Sequence, residues 1–303
     1  MYIFRPQNDT YNSFEYASLG GTSFVQRDEA QAVSLQYLNV SNGATATVKI
    51  QFIPNLLALQ YDVVLNDIPL SDQGQEVTVN FKSFDINNHD NFTTDSNGLQ
   101  MMERRLNYRA TWNFSSDQNV TSNYYPVQTA VGIKDKHQDK AMIVMNSRSQ
   151  AGGVIEQGRV ELMQNRRMYY DDGRGMGEPL NETDEYDMGI IVPAQYIQRL
   201  YNPKKEQGLQ REIQLHQDDP LQLFYSFDWE SSHRRPLPKR EEEPLSCLKS
   251  QKATVKYQLF PLAKNKVIFR IENIGDSYDG SNFDAYFNLT DIAKELFERA
   301  NRG

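Results

Sequence analysis

Three short stretches decide the fold: Val33-Ser34-Leu35-Gln36-Tyr37, Val48-Lys49-Ile50-Gln51-Phe52 and Val77-Thr78-Val79-Asn80-Phe81. In each, apolar and polar residues alternate with a period of two. Side chains on a strand point to opposite faces in turn, so the pattern buries one face and wets the other. Asn42-Gly43 lies between the first two stretches, a hairpin signal with a connection longer than two residues. Further strands are predicted at 124–133, 140–146, 158–169, 187–192, 221–227, 253–260 and 265–272, with a turn over 261–264. Helix signals are few. Residues 194–201 fit a short helix. Residues 291–300 fit a better one, with Thr290 as N-cap, Asp291 at the positive end of the dipole, and Ile292, Leu296 and Ala300 on one face.

The chain is therefore read as all-β with a short C-terminal helix. Its 303 residues allow one large β domain or two smaller ones. Hydrophobic residues make up only 39%, yet 15 Phe, 17 Tyr and 2 Trp supply bulk for a core. Residues 202–220 and 230–244 are polar, the second running from Arg234-Arg235 to Glu241-Glu242-Glu243, and both read as solvated loops.

Composition excludes several classes. Forty acids against 32 bases give a net charge of −8, which disfavours a nucleic-acid partner. No run approaches the roughly 18 apolar residues of a membrane span. The single cysteine, Cys247, excludes an internal disulfide framework. His89, His137, His216 and His233 lie too far apart in sequence for ligand spacing, so no metal site is predicted from this chain.

The opening Met1-Tyr2-Ile3-Phe4-Arg5-Pro6 reads as strand and lacks the features of a secretory leader. Glycosylation sequons nevertheless occur at Asn8, Asn39, Asn91, Asn113, Asn119, Asn181 and Asn288. Chance from 24 Asn predicts about three, so the set points to a lumenal surface and to a chain whose leader lay upstream.

The densest cluster of chemistry is Arg166-Arg167-Met168-Tyr169-Tyr170-Asp171-Asp172-Gly173-Arg174-Gly175-Met176-Gly177. Its glycines permit sharp turns and close approach to a ligand, and its carboxylates and guanidinia can bind sugar hydroxyls. The spacing does not match a phosphate-binding loop. A surface turn held by an Asp–Arg pair fits the same residues. Asp171 and Asp172 are adjacent, which suits an acid–base pair across a sugar poorly. Two further clusters stand out. Arg104, Arg105 and Arg109 follow the turn Asp95-Ser96-Asn97-Gly98, either as a solvated face or as partners for the surplus acids. Asn123-Tyr124-Tyr125-Pro126-Val127 carries two adjacent tyrosines, one for the core and one for an edge or a ligand.

Taken together, these strings resemble the C-terminal β-rich region of glycoside hydrolase family 38, the lysosomal-type α-mannosidases. Tyr2-Ile3-Phe4-Arg5-Pro6 is similar to the family's YIFRP. Thr94 to Asn113 resembles TDSNG followed by RRLNYRPTWN. Asn123 to Val127 matches NYYPV, Arg148 to Gly153 is near RSQGG, and Gly158 to Glu182 gives the longest match. Met1 replaces the alanine before the tyrosine, Ala151 interrupts RSQGG, and Asn146-Ser147 stands where Thr-Asp is usual.

The resemblance implies a large β-sandwich like that of galactose mutarotase over 1–205 and a smaller β-sandwich with a terminal helix over 206–303. It implies retaining, zinc-dependent hydrolysis of terminal α-mannosides of N-glycan oligosaccharides. The nucleophile, the acid and the zinc ligands would lie in an N-terminal barrel not contained in this chain, so no catalytic or metal residue is assigned here. This chain would supply pocket wall and scaffold, with Tyr2, Asp171, Asp172, Arg174 and Gly175 facing the sugar, and would be inactive alone. A lysosomal or secreted location and the missing catalytic domain as partner follow. The alternative is a stand-alone carbohydrate-binding or structural β module.

Overall fold

The computed structural model describes residues 17–28, 31–40, 45–70, 74–116, 118–171, 173, 175, 177–206, 209–218, 220, 255–263, 266–279 and 288–300. The chain divides into two compact units, Met1–Gln207 and Gly208–Gly303.

The first unit holds thirteen strands among its described residues: β1 Ala17–Asp28, β2 Gln31–Val40, β3 Thr45–Ile53, β4 Ala58–Leu65, β5 Gln75–Lys82, β6 Asn91–Ser96, β7 Gln100–Arg105, β8 Tyr125–Val127, β9 Ala130–Asp135, β10 Lys140–Asn146, β11 Gln150–Glu156, β12 Arg159–Arg167 and β13 Val192–Tyr201. Nine form one sheet in the order β1-β2-β3-β4-β13-β10-β9-β6-β7, and four form another, β5-β12-β11-β8. The three alternating stretches fall on β2, β3 and β5.

Apolar faces of both sheets meet in one core. Val63, Val131, Val144 and Tyr196 come from the large sheet, and Phe81, Val127, Val154 and Leu162 from the small one. Burial of each such side chain stabilises by about 1.5–3 kcal/mol. Phe81 stands edge-on to Tyr61 at 5.2 Å and to Tyr196 at 5.5 Å, an arrangement aromatic rings favour. A polar bridge crosses the same core. Gln150 Nε2 donates to the Tyr196 hydroxyl at 2.7 Å, and that hydroxyl donates to Gln164 Oε1. Burial pushes the Tyr196 phenol up to about 12, against smaller lowering from Gln150 and Arg148.

The stretch 124–133 is two strands rather than one. β8 pairs with β11 in the small sheet, whereas β9 pairs with β10 and β6 in the large one. The cause is Asp95, 3% exposed, whose Oδ1 accepts the amides of Gln128, Thr129 and Ala130 at 2.9–3.0 Å. Its Oδ2 takes the Gly98 amide at 2.7 Å and closes the β6–β7 turn. Three consecutive amides given to one carboxylate are unavailable for a ladder, so the chain passes from one sheet to the other there.

Residues 194–201 are a strand, not a helix. They belong to β13, whose backbone pairs with β4 on one side and β10 on the other. Apolar residues at 194, 196, 197 and 200 suit either period, and two flanking ladders decide for strand. The stretch 187–192 contributes only a single bridge, Thr183 with Gly189, before β13 begins.

In the second unit, α1 spans Leu209–Asp218, so the solvated loop expected over 202–220 contains a helix. Its polar composition hid a buried side formed by Gln210, Arg211 and Ile213. β14 Val255–Ala263 and β15 Lys266–Asn273 make an antiparallel pair, and α2 covers Leu289–Ala300. Ile292 and Leu296 of α2 pack on Phe269 and Ile271. The N-cap is Asn288 rather than Thr290: Asn288 Oδ1 accepts the Thr290 amide at 3.0 Å. The strand expected at 221–227, the Asn42-Gly43 hairpin signal and the loop at 230–244 lie outside the described residues, as does Cys247.

Candidate functional site

Residues 168–191 leave β12 and return to β13 as one long excursion from the sandwich. Arg167 roots it. Its Nη1 is paired with the Asp67 carboxylate and donates to the Ile68 carbonyl at 2.8 Å, and its Nε donates to Asn181 Oδ1 at 3.0 Å. The Met168 amide donates to Leu180 O at 2.8 Å and closes the base of the loop. Farther along, Asp184 Oδ1 accepts the amides of Tyr186 and Met188. A Cβ on Gly189 would overlap the ends of both the Asp67 and Arg167 side chains, so any larger residue there must displace this ion pair.

Asp171 Oδ2 accepts the Gly173 amide at 2.9 Å, forming a turn. Gly173 and Gly175 have φ of +68° and +117°, and nothing lies within 4 Å of where their side chains would be. Gly175 in particular holds a conformation that side chains resist. Tyr169 and Tyr170 stand edge to face at 4.7 Å, 49% and 58% exposed. Neither is among the residues that the family resemblance implies face the sugar. Tyr186, Met188, Ile190 and Ile191 are exposed on the return limb.

Beneath the root, Arg166 faces Glu76 across the β12–β5 ladder at 3.4 Å. Glu76 is half-buried, and its Oε2, itself shielded from solvent, has no hydrogen bond of good geometry. Burial pushes its carboxyl up to about 8; Arg166 opposes the rise and nearby Glu161 adds to it. Between root and return limb lies a cleft of about 30 Å³ lined by Asp67, Arg166, Arg167, Leu180, Glu182 and Ile190. That is room for water molecules and not for a sugar ring.

Of the predicted sugar-facing residues, Asp171 is half-buried and Gly175 exposed, both in the excursion after β12. Tyr2, Asp172 and Arg174 lie outside the described residues. Of the sequons, Asn113, Asn119 and Asn288 are exposed, Asn91 and Asn181 are half-buried, and Asn39 is on β2; Asn8 and the side chain of Asn39 are outside the described residues. The histidines, remote in sequence, are partly reunited: His89 and His137 stack edge to face at 5.3 Å. Among the described residues no third ligand joins them. Among the described residues no group of three or more His, Cys, Asp or Glu side chains is placed to hold a metal, so the described residues do not fit a zinc ion.

Residues 1–174 match the sequence profile of the glycosyl hydrolases family 38 C-terminal domain. The chain belongs to glycosyl hydrolase family 38.

Curated family relatives agree. Lysosomal alpha-mannosidase from Bos taurus is 34% identical over 211 residues, covering 69% of this chain and 20% of the relative. Lysosomal alpha-mannosidase from Dictyostelium discoideum is 28% identical over 283 residues, covering 90% of this chain and 26% of the relative. Alpha-mannosidase from Canavalia ensiformis is 33% identical over 184 residues, 57% of this chain and 18% of the relative. The chain thus spans about a fifth to a quarter of the length of these relatives. A solved alpha-galactosidase from Lactobacillus brevis superposes with a TM-score of 0.35 at 8% identity over 66% of this chain and 29% of that one, too faint a likeness to argue from.

The family profile ends at Arg174, inside the excursion after β12. Among the described residues no helix is long and apolar enough to cross a membrane.

Proposed function

We propose that this family 38 chain is the non-chemical flank of an α-mannosidase that removes terminal α-linked mannose from N-glycan oligosaccharides with retention of configuration. In this reading the nucleophile, the general acid and the zinc ligands belong to a preceding catalytic domain. The present chain supplies scaffold and one wall of the sugar pocket. Tyr2, Asp171, Asp172, Arg174 and Gly175 face the sugar. The protein works in the lysosome or after secretion and carries N-glycans.

The observation that carries this reading is the excursion after β12. Its outgoing limb and tip fall within the longest stretch resembling the family, which ends at Glu182. It leaves its glycine tip with open space around it, and Arg167 fixes its root to the sandwich. A fixed root with room beside the glycines of the tip suits a loop that completes a pocket formed with another domain. The apolar side chains of its return limb suit coverage by protein.

Two measurements test it. The purified chain should release no mannose from an aryl α-mannoside, and titration with mannose should give no heat. Release would overturn the division of labour, and binding heat would favour the stand-alone module. In the full-length protein, Asp172→Ala should lower kcat/KM ten- to a hundredfold, since a hydrogen bond to a charged group is worth about 1.5–3 kcal/mol. Unchanged kinetics would remove the loop from the pocket.

A further inference from the structure

The two arginine- and tyrosine-bearing motifs converge at one open edge of the sandwich. β7 is the last strand of the large sheet and β8 the last of the small one. Between them, the guanidinium of Arg104 lies 4.4 Å from the Tyr125 ring centroid and that of Arg109 lies 4.9 Å from the same centroid. Arg109 also stacks on Phe114 at 4.5 Å. The Tyr125 ring in turn stands edge-on to Phe92 at 5.7 Å, which anchors it to the core.

Both cations are half-buried and held in place. Arg104 Nε donates to Thr94 Oγ1 at 3.1 Å. Arg109 Nη1 donates to Tyr108 O at 2.8 Å, and its Nη2 donates to the Ser122 carbonyl. A guanidinium carries five N–H donors, so most remain uncommitted on each. No carboxylate compensates: among the described residues neither arginine takes part in an ion pair. The same holds for neighbouring Arg105, which stacks on Tyr108 at 5.4 Å. In a chain of net charge −8, three arginines with no acid paired with them among the described residues are unexpected. Cation–π contacts offset part of the cost, yet two like charges over one ring repel each other.

We propose that Arg104 and Arg109 form a binding site for a small tetrahedral oxyanion, a phosphate or sulfate group, seated at the Tyr125 edge of the sandwich. Stacking fixes the two planar forks, and an oxyanion accepts from both at once while cancelling their repulsion. The group is either the free ion or an ester carried on a sugar. This site is independent of the excursion after β12, and its failure would leave the proposed function untouched.

The test uses the full chain at constant ionic strength. Inorganic phosphate replacing chloride should raise the thermal midpoint by a few degrees and broaden the phosphorus resonance of the ion. Arg104→Gln and Arg109→Lys should each abolish both effects; the second keeps the charge and loses the fork. Arg105→Gln should keep them. A hexose phosphate that displaces inorganic phosphate assigns the ester as ligand, and one that fails to displace it assigns the free ion. Equal midpoints in phosphate and chloride, or broadening that persists in the variants, would overturn the site. Should Arg104→Gln not fold, the wild-type titration and the Arg109→Lys variant decide.

Discussion

The carboxylate of Asp95 accepts the backbone amide of Thr129 at 2.9 Å, across the point where the chain changes sheets. With the amides of Gln128 and Ala130 on the same oxygen, one side chain fixes the corner between β8 and β9.

Asp95→Ala should therefore destabilise the first unit by about 3 kcal/mol or more, because several backbone amides lose their acceptor at once. Asp95→Asn should cost less, since it keeps one acceptor oxygen and loses the bond to the Gly98 amide. Denaturant midpoints of both variants decide this. A loss below about 1 kcal/mol for Asp95→Ala would mean the corner is held by other contacts.

Tyr196→Phe should cost about 1–3 kcal/mol, because Gln150 and Gln164 lose their shared hydroxyl inside the core. Ultraviolet titration of the wild type minus that of the variant should show a phenol that ionises only near pH 12.

Glu76 predicts an acid-favoured fold. Its folded pKa of about 8 lies above the ordinary value of 4.5. Below the ordinary value both states are protonated and the full contribution is present. As pH rises toward 8 the unfolded chain ionises first, so stability is lost progressively across that window and levels off above it. Chemical denaturation at pH 5 and pH 8 should show the fall, and Glu76→Gln should flatten it. A wild type more stable at pH 8, with the variant unaltered, would refute the assignment.

Gly189→Ala should displace the Asp67–Arg167 ion pair and loosen the excursion at its root. The expected signature is faster proteolytic cleavage between 168 and 191, with the sandwich resistant. Arg167→Ala should produce the same cleavage pattern, since it removes the bond to Asn181 as well.

Glycan mapping by mass spectrometry should find Asn113 and Asn119 occupied in secreted protein, since both are exposed on the connection between β7 and β8. Asn181 should be occupied less, as its side-chain oxygen is engaged by Arg167 and the residue is half-buried. The reverse order would show that acceptor exposure in the fold does not govern modification here.

Strands with one wet face were legible directly, because alternation such as Val77-Val79-Phe81 leaves a period-two signature on β5. β13 was not, because an interior strand buries residues on both faces and then looks like helix; its pairing partners are far away in sequence. α1 was missed for the opposite reason, since its buried side includes Arg211 and Gln210 and carries little apolar signal. At the loop, the glycines and carboxylates announced a turn, and Asp171 indeed caps one. The Arg104–Tyr125–Arg109 stack could not be read from sequence, because it joins motifs separated by the whole 110–122 connection.

The corner at Asp95 has a consequence for how the first unit melts. Because β8 and β9 are consecutive in the chain yet belong to different layers, neither layer can detach without pulling on the other. Calorimetry of this unit should give one transition whose van't Hoff and measured enthalpies agree, and heat damage should spread through both layers together.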